Sequence, residues 1–166
     1  ENRQFYSYYV TALYNEGESV ATNLVEVQAL DFILIGEGTV NNPYLINDLI
    51  DLNILSLENT FWESGVYIEQ SVDIDASETE SWNEGAGFSP IGNNNNKFYG
   101  NYNGNGYNIV GLNINRPSTF YIGLFGYAEN ANISDIGLLD AEVIGGNKIG
   151  GLAGYSNNLT ISNSNV

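Results

Sequence analysis

Cysteine and histidine are both absent from this chain of 166 residues. Without Cys there are no disulfides and no thiol–metal chemistry, and without His as well the catalytic triads, zinc proteases and thiol nucleophiles are excluded. Basic residues are scarce, four against 20 acidic ones, for a net charge of −16. Such a chain repels phosphates, which excludes nucleic acid as a partner and disfavours anionic membrane. No stretch approaches the ~18 apolar residues of a membrane span, so no membrane insertion is expected.

What is present describes a folded chain: 43% hydrophobic residues and only 14% charged ones. The polar surface is carried by Asn, Ser, Thr and Tyr, and Asn suits αL turns in which copies ladder on one another. The acids are unevenly placed. Residues 1–96 hold 16 acids and one base, residues 97–166 four acids and three bases. Acidic surfaces suit solubility outside cells and loose cation binding. The chain begins at Glu1 without Met or a signal peptide, as expected of a mature or excised piece of a longer polypeptide.

The stretch from Lys97 to Val166 organises the rest. Gly123-Leu124-Phe125-Gly126-Tyr127 returns as Gly151-Leu152-Ala153-Gly154-Tyr155, and Asn130, Ile133 and Ser134 return as Asn158, Ile161 and Ser162, all at an offset of 28. A fixed offset is the mark of a repeat architecture in which each unit buries its apolar face on the next. Ile109–Ile114 reads as a worn copy of Ile133–Leu138 at an offset of 24. The segments are short, alternate apolar with small or polar residues, and end in Gly or Asn turns. The expected fold is all-β: a β-solenoid, a right-handed parallel β-helix, with Leu124, Phe125, Ile133, Leu152 and Ile161 inward.

Ahead of it, residues 1–30 read as a hairpin. Tyr6, Tyr8, Val10, Ala12 and Tyr14 share a face by period two, and Asn15-Glu16-Gly17-Glu18 supplies the turn. Tyr8-x-Val10-x-Ala12, Gly17-x-Ser19 and Asn23-x-Val25-x-Val27 resemble the last two strands of a fibronectin type III domain. That resemblance implies a tyrosine corner at Tyr8 or Tyr6. The rest of the chain, 31–166, divides into a lead-in at 36–60 and the solenoid proper. Asn47 is the expected cap of a helix running to Glu58, with Leu49, Leu52 and Leu55 on its buried stripe, covering the solenoid's open end. Val66–Ile68 and Val72–Asp75 are short strands, and Trp82, Phe88, Pro90 and Ile91 a turn packed down by aromatics.

From Gly36 onward the chain resembles the GLUG-motif β-helical surface proteins of bacteria. The carriers are Gly36-Glu37-Gly38-Thr39 with Pro43-Tyr44-Leu45-Ile46, Asp73-Ile74-Asp75, Trp82…Pro90-Ile91-Gly92 and Phe98-Tyr99-Gly100-Asn101-Tyr102-Asn103-Gly104-Asn105-Gly106. Asn103 stands where Asp is usual in that family. The Gly-Leu-Phe-Gly and Gly-Gly-Leu-x-Gly units complete the match. The resemblance implies an extracellular or cell-surface scaffold or adhesive role and no chemistry of its own.

Gly104, Gly106, Gly126 and Gly154 lack the Lys and helix start of a phosphate loop, and read as φ > 0 corners and close packing. Asp73, Asp75, Ser77, Thr79 and Glu84 have the oxygen spacing of a calcium loop, but Glu78 stands where Gly is needed. Their alternative role is to cap turns. Paired carboxylates could serve a glycosidase or β-helix lyase, yet the acids lie mostly ahead of the coils, and Arg116 precedes Pro117 in a loop-like stretch. No catalytic residue and no cofactor is assigned. Tyr99, Tyr102, Tyr107 and Tyr121 could stack on sugars or plug the solenoid. Asn132-Ile133-Ser134 and Asn158-Leu159-Thr160 match the glycosylation pattern, at what reads as one repeat phase, so a ladder position explains them. The expected function is a non-catalytic structural or adhesive module of a secreted or cell-surface bacterial protein. Its expected partners are other surface proteins, glycans or copies of itself. The hairpin within residues 1–30 is expected either to fold back over the lead-in helix, the favoured case for an excised piece, or to add to a neighbouring copy as a strand, which builds a filament. The rival is a β-helix carbohydrate-active enzyme or glycan-binding module using acidic and aromatic residues.

Overall fold

The computed structural model describes the backbone of four strands within residues 5–28 and the whole of residues 33–166. The chain divides into two compact units, Glu1–Ile33 and Leu34–Val166. In the first, β1 (Phe5–Tyr8) pairs antiparallel with β4 (Val25–Gln28), and β2 (Leu13–Tyr14) pairs antiparallel with β3 (Gly17–Glu18). The expected turn was too long at its C-terminal side: Gly17 and Glu18 pair with Tyr14 and Leu13 and belong to a strand. Tyr6 and Tyr8 lie in β1, with their side chains, and so the tyrosine-corner role, outside what is described; Val10 and Ala12 lie outside the described residues.

The second unit opens with a turn that only glycine permits. Gly36 has φ +119, and a Cβ there would overlap the Pro43 carbonyl; Gly38, at φ +70, lies against the Tyr44 ring. Thr39 Oγ1 accepts the Asn42 N–H at 3.1 Å and closes the turn. β5 (Tyr44–Ile46) follows, then α1 (Leu49–Leu57). Here the structure corrects the expected cap. Asp48, not Asn47, is the N-cap, its Oδ1 accepting from Asp51 N at 2.9 Å, while Asp51 Oδ2 accepts from Asn47 N at 2.9 Å. Leu49, Leu52 and Leu55 are buried as the stripe required, with Ile54 added. Trp62 Nε1 donates to the Leu55 carbonyl at 2.7 Å, satisfying a helix-end acceptor. Asp48→Ala should lower stability by about 1 kcal/mol in thermal melts, because the Asp51 N–H then has no side-chain acceptor.

From β6 (Tyr67–Gln70) and β7 (Ile74–Asp75) the chain runs through a 3₁₀ segment, Ser77–Gly85, to β8 (Asn101–Asn103) and β9 (Asn108–Val110). Then come β10 (Asn113–Ile122), β11 (Phe125–Glu129), β12 (Asn132–Ser134) and β13 (Gly137–Leu139). β14 (Glu142–Ile149), β15 (Ala153–Asn157) and β16 (Thr160–Ser162) end the series. The unit is all-β apart from α1 and the 3₁₀ turns. Its strands form a five-stranded sheet in the order β16-β12-β8-β6-β5, a three-stranded sheet β13-β9-β7, and the pairs β10-β14 and β11-β15, every ladder of them parallel. Arg116 lies in β10 rather than in a loop, its guanidinium donating to the Phe88 and Gly87 carbonyls and to Ser89 Oγ.

The registers carry the repeat. Phe125 pairs with Ala153, Tyr127 with Tyr155, Ile133 with Ile161 and Ser134 with Ser162, each at the offset of 28 read from the sequence. The offset of 24 is overturned: Ile109 pairs with Leu138, and Ile133 stacks on Tyr102. Leu124, Phe125, Ile133 and Leu152 are buried, but Ile161 is 47% exposed where Ile133 is 1%. Ile149 is likewise 47% exposed against 1% for its register partner Ile122. For Ile161 the cause is its place: β16 is the edge strand of the five-stranded sheet, and no described strand covers its far side.

Corners obey the expected Asn chemistry. Asn130 and Asn158 both have positive φ, 49 and 54, and Asn158 Nδ2 donates to Asn130 Oδ1 at 2.9 Å. Asp135 and Asn163 repeat the arrangement at 3.0 Å. Of the four glycines expected at φ > 0 corners, only Gly106 is one. Gly104, Gly126 and Gly154 serve the other expected role, close packing: each admits backbone of a neighbouring segment where any Cβ would stand.

Candidate functional site

Carboxylates come first, because the sequence singled them out. An open groove of about 380 Å³ is lined by Asn47, Asp48, Asp73, Asp75, Ser77 and Glu78, among others. It gathers Asp73, Asp75 and Ser77 of the five calcium candidates and neither Thr79 nor Glu84. Thr79 is buried, its hydroxyl donating to the Ala76 carbonyl at 2.6 Å and accepting from Asn113 N at 2.9 Å. Glu84 is exposed in the 3₁₀ segment at φ +58. Asp73 Oδ1 accepts from the Asn108 backbone at 2.7 Å, and Asp75 Oδ1 from Ser77 N at 3.0 Å. Hydrogen bonding by Ser77, its side chain first and its backbone N–H second, holds the Asp75 carboxyl below its ordinary range. These oxygens work as turn and inter-strand acceptors. Among the described residues no three acidic groups converge in a way that could hold a metal.

A second feature went unread in the sequence. Both lysines of the chain lie over tyrosines: Lys148 Nζ is 4.0 Å from the Tyr155 ring centre and 4.8 Å from that of Tyr121, and Lys97 Nζ is 5.2 Å from Tyr127. Tyr121 and Tyr127 stack at 5.5 Å, and Tyr127 meets Tyr155 edge-on at 4.8 Å. Lys97 also pairs with Glu129 at 3.1 Å, while Asn157 donates to Glu129 at 2.8 Å. Those hydrogen bonds, Asn157 first, keep the Glu129 carboxyl low, and the Glu129 bond raises the Lys97 ammonium. Tyr121 and Lys148 both hold positive φ, 63 and 56, a strained conformation for such side chains. Tyr127 and Tyr155 at offset 28 were the visible signal; Tyr121 and Lys148, one residue out of phase, were not. The cluster clamps successive strands across their edges.

Third is the outward face of the five-stranded sheet. Register aligns Tyr67, Asn101, Asn132 and Thr160 in one row, and Glu69, Asn103, Ser134 and Ser162 in the next. A groove of about 310 Å³, walled by Val40, lies over the part of these rows that runs from Tyr67 and Glu69 to Asn132 and Ser134. Asn132 Nδ2 donates to Asn101 Oδ1 at 2.8 Å, and Asn103 Nδ2 to Asn105 Oδ1 at 2.7 Å. The two glycosylation-type asparagines do not share a phase after all: Asn132 stacks on Asn101 in the sheet, Asn158 on Asn130 at a corner.

Inward of this face, of the two roles open to Tyr102, stacking on sugars or filling the interior, the structure shows the second. Its ring is buried against Phe125 at 5.5 Å and its hydroxyl donates to Gln70 Oε1 at 3.1 Å. Gln70 Nε2 donates in turn to the Val72 and Asn108 carbonyls at 2.8 and 3.1 Å. Burial raises the Tyr102 phenol far above its ordinary 10.0. As pH rises the unfolded chain loses this proton first while the native state still holds it. Stability is therefore intact below about pH 10 and falls above it, by up to about 1.4 kcal/mol per pH unit. Urea melts between about pH 9 and about pH 11 should give that slope, and Tyr102→Phe should flatten it.

These features define an all-β unit of parallel ladders with a polar outer face and, among the described residues, no cluster of acidic side chains that could hold a metal. No known protein-family profile matches the chain, and no solved structure matches it. Two curated proteins do. The chain is 35% identical over 133 residues, 78% of its length, to Halomucin of Haloquadratum walsbyi. It is 42% identical over 104 residues, 62% of its length, to a protein named as a Gly-rich membrane protein of Evansella cellulosilytica. It spans only 2% of the first relative's length and 12% of the second's.

Proposed function

We propose that residues 34–166 are successive coils of a right-handed parallel β-helix, and that they serve as a non-catalytic structural or adhesive module of a protein at the cell surface. One observation carries the reading: strands of equal phase pair in parallel at the repeat offset, with equivalent aliphatics on the same side. Each coil then forms the surface on which the next one folds, which makes length cheap to add and suits a spacer. The resemblance to GLUG-motif surface proteins supports it, with α1 packed on the edge strand β5 as the cap of the stack. The names of the relatives, Halomucin and a Gly-rich membrane protein, support a surface or membrane-associated parent. No helix among the described residues is long and apolar enough to cross a membrane.

The non-catalytic part rests on chemistry. Nucleophile activation needs a base within hydrogen-bond reach, and a glycosidase needs two carboxyls facing across a substrate. Asp73, Asp75 and Glu129 are each engaged with neighbouring N–H groups instead. Incubation of the whole chain with a panel of glycans and with casein should release no products by mass spectrometry. Turnover that disappears when one Asp or Glu is replaced would overturn the reading.

A further inference from the structure

We infer that the outward face of the five-stranded sheet is a binding strip for an uncharged polysaccharide, with Tyr67 as its stacking platform and Asn101, Asn103, Asn132 and Ser134 as its hydrogen-bonding floor. This rests on the adhesive reading above and names the ligand class of one surface.

Parallel neighbours in a sheet lie about 4.8 Å apart, and alternate residues on one strand about 6.6 Å apart. The two rows therefore present polar groups on a regular grid, at a spacing comparable to a sugar ring. A grid of that kind meets a repeating polymer better than a compact ligand. The groove over it encloses about 310 Å³, at the small end of ligand sites, which run to roughly 300–1,000 Å³. One or two sugar rings would fill it, and the open rows toward Thr160 and Ser162 would carry the next ones.

Side-chain chemistry selects the class. An amide offers two N–H donors and an oxygen with two lone pairs, and a hydroxyl both donates and accepts. Sugar hydroxyls need that mixture. Anions need cations, and the two rows contain neither Lys nor Arg, but do contain Glu69. With a net charge of −16 the chain also repels polyanions at a distance. An apolar peptide would require an apolar floor, which these rows lack. Tyr67 is half-buried in the groove wall, so its ring is held in place, and such a face suits the C–H side of a pyranose.

The floor is also ordered before any ligand arrives. Asn132 is held by Asn101, whose own Nδ2 donates to the Val66 carbonyl at 3.1 Å; Ser134 lies 3.5 Å from Asn103. Each of these asparagines keeps at least one polar position uncommitted. Ordering beforehand lowers the entropy lost on binding. The Lys–Tyr cluster offers less, because its ring faces are already taken by the lysines.

Affinity electrophoresis of the whole chain tests the proposal, in native gels containing a galactomannan, a mixed-linkage β-glucan, a dextran or polygalacturonate. At least one of the three uncharged polymers should retard the chain, and polygalacturonate should not. Tyr67→Ala, and separately the double variant Asn101→Leu with Asn132→Leu, should weaken the retardation by about tenfold or more. Tyr67→Phe should stay within about twofold, because the ring is what stacks. Tyr107→Ala, at an exposed tyrosine outside the strip, should migrate like the parent. Thermal melts matching the parent show that the variants fold. No retardation by any uncharged polymer, retardation by polygalacturonate alone, or equal retardation of parent and folded Tyr67→Ala and double variants would overturn the strip. Products released from a polymer would count against the non-catalytic reading instead, since mobility is scored separately.

Discussion

Phe125→Ala is expected to destabilise the protein by about 3–5 kcal/mol, a large share of the 5–15 kcal/mol that a domain commonly has. Phe125 is completely buried, with its ring 4.9 Å from Phe98 and 5.5 Å from Tyr102. It thus joins three segments within the core. Truncation leaves a cavity that the rings cannot close, since Tyr102 is tethered through its hydroxyl to Gln70. The β15 ladder on one side and the Ile91 bridge on the other hold the backbone apart at strand spacing. Chemical denaturation should show the lower midpoint. Phe125→Leu should recover about half of the loss, because most of the volume returns.

Gly126→Ala is expected to cost about 1–3 kcal/mol or more, although only a methyl group is added. The residue has ordinary φ, so backbone strain is not the reason. Its missing Cβ leaves room for the Gly92 carbonyl, which a Cβ would overlap, and for the Tyr121 carbonyl, which a Cβ would meet at 2.8 Å. Both obstacles are backbone atoms and cannot rotate aside as a flexible side chain would. Gly65→Ala is the contrast: a Cβ there meets nothing within 4 Å, and the cost comes from φ +83 alone. Urea melts of the two variants separate the effects. The Gly126 variant should lose more, and Gly126→Val more again.

The features legible in the sequence were those whose residue types repeat along with their phase. Leu124/Leu152 and Ile133/Ile161 are aliphatic in both copies, and their offset gave the register directly. Where the loop length changes, the phase changes with it. Tyr102 stacks on Ile133 and Ile109 on Leu138, at offsets that no identical residues mark. Similar letters at offset 24 were therefore a false guide. The helix was read correctly in extent and buried stripe, but two neighbouring cap residues, Asn47 and Asp48, compete by one position. Only the geometry shows Asp48 reaching the Asp51 N–H.

Burial of polar groups was the hardest to foresee. Tyr102 sits among Asn and Gly residues that advertise a surface turn, yet Gln70, distant in sequence, gives its hydroxyl a partner inside the core. Thr79 is similar: its spacing from Asp73 suggested a ligand, and its hydroxyl is consumed by Ala76 and Asn113. The Lys148–Tyr121–Tyr155 contact depends on two αL backbones that no local residue type requires. Ile161 was expected inward from its phase alone, and it does point as its partner does; what differs is the uncovered edge beyond β16.

The parallel pairing of strands in this register, on which the proposed stack of coils rests, is tested most directly by cysteine cross-linking, which the complete absence of native Cys makes unambiguous. Asn132 and Thr160 are directly paired on one face, so the double variant Asn132→Cys with Thr160→Cys should form a disulfide under mild oxidation. Intact mass would then fall by two hydrogens, with no reaction at added thiol probe. Asn132→Cys with Ser162→Cys places the thiols two residues out of register, beyond the ~7 Å that a disulfide spans between Cα atoms, and should stay reduced. Closure of the first pair and not the second is the predicted result. Equal closure of both, or closure of the second alone, would contradict parallel stacking at an offset of 28.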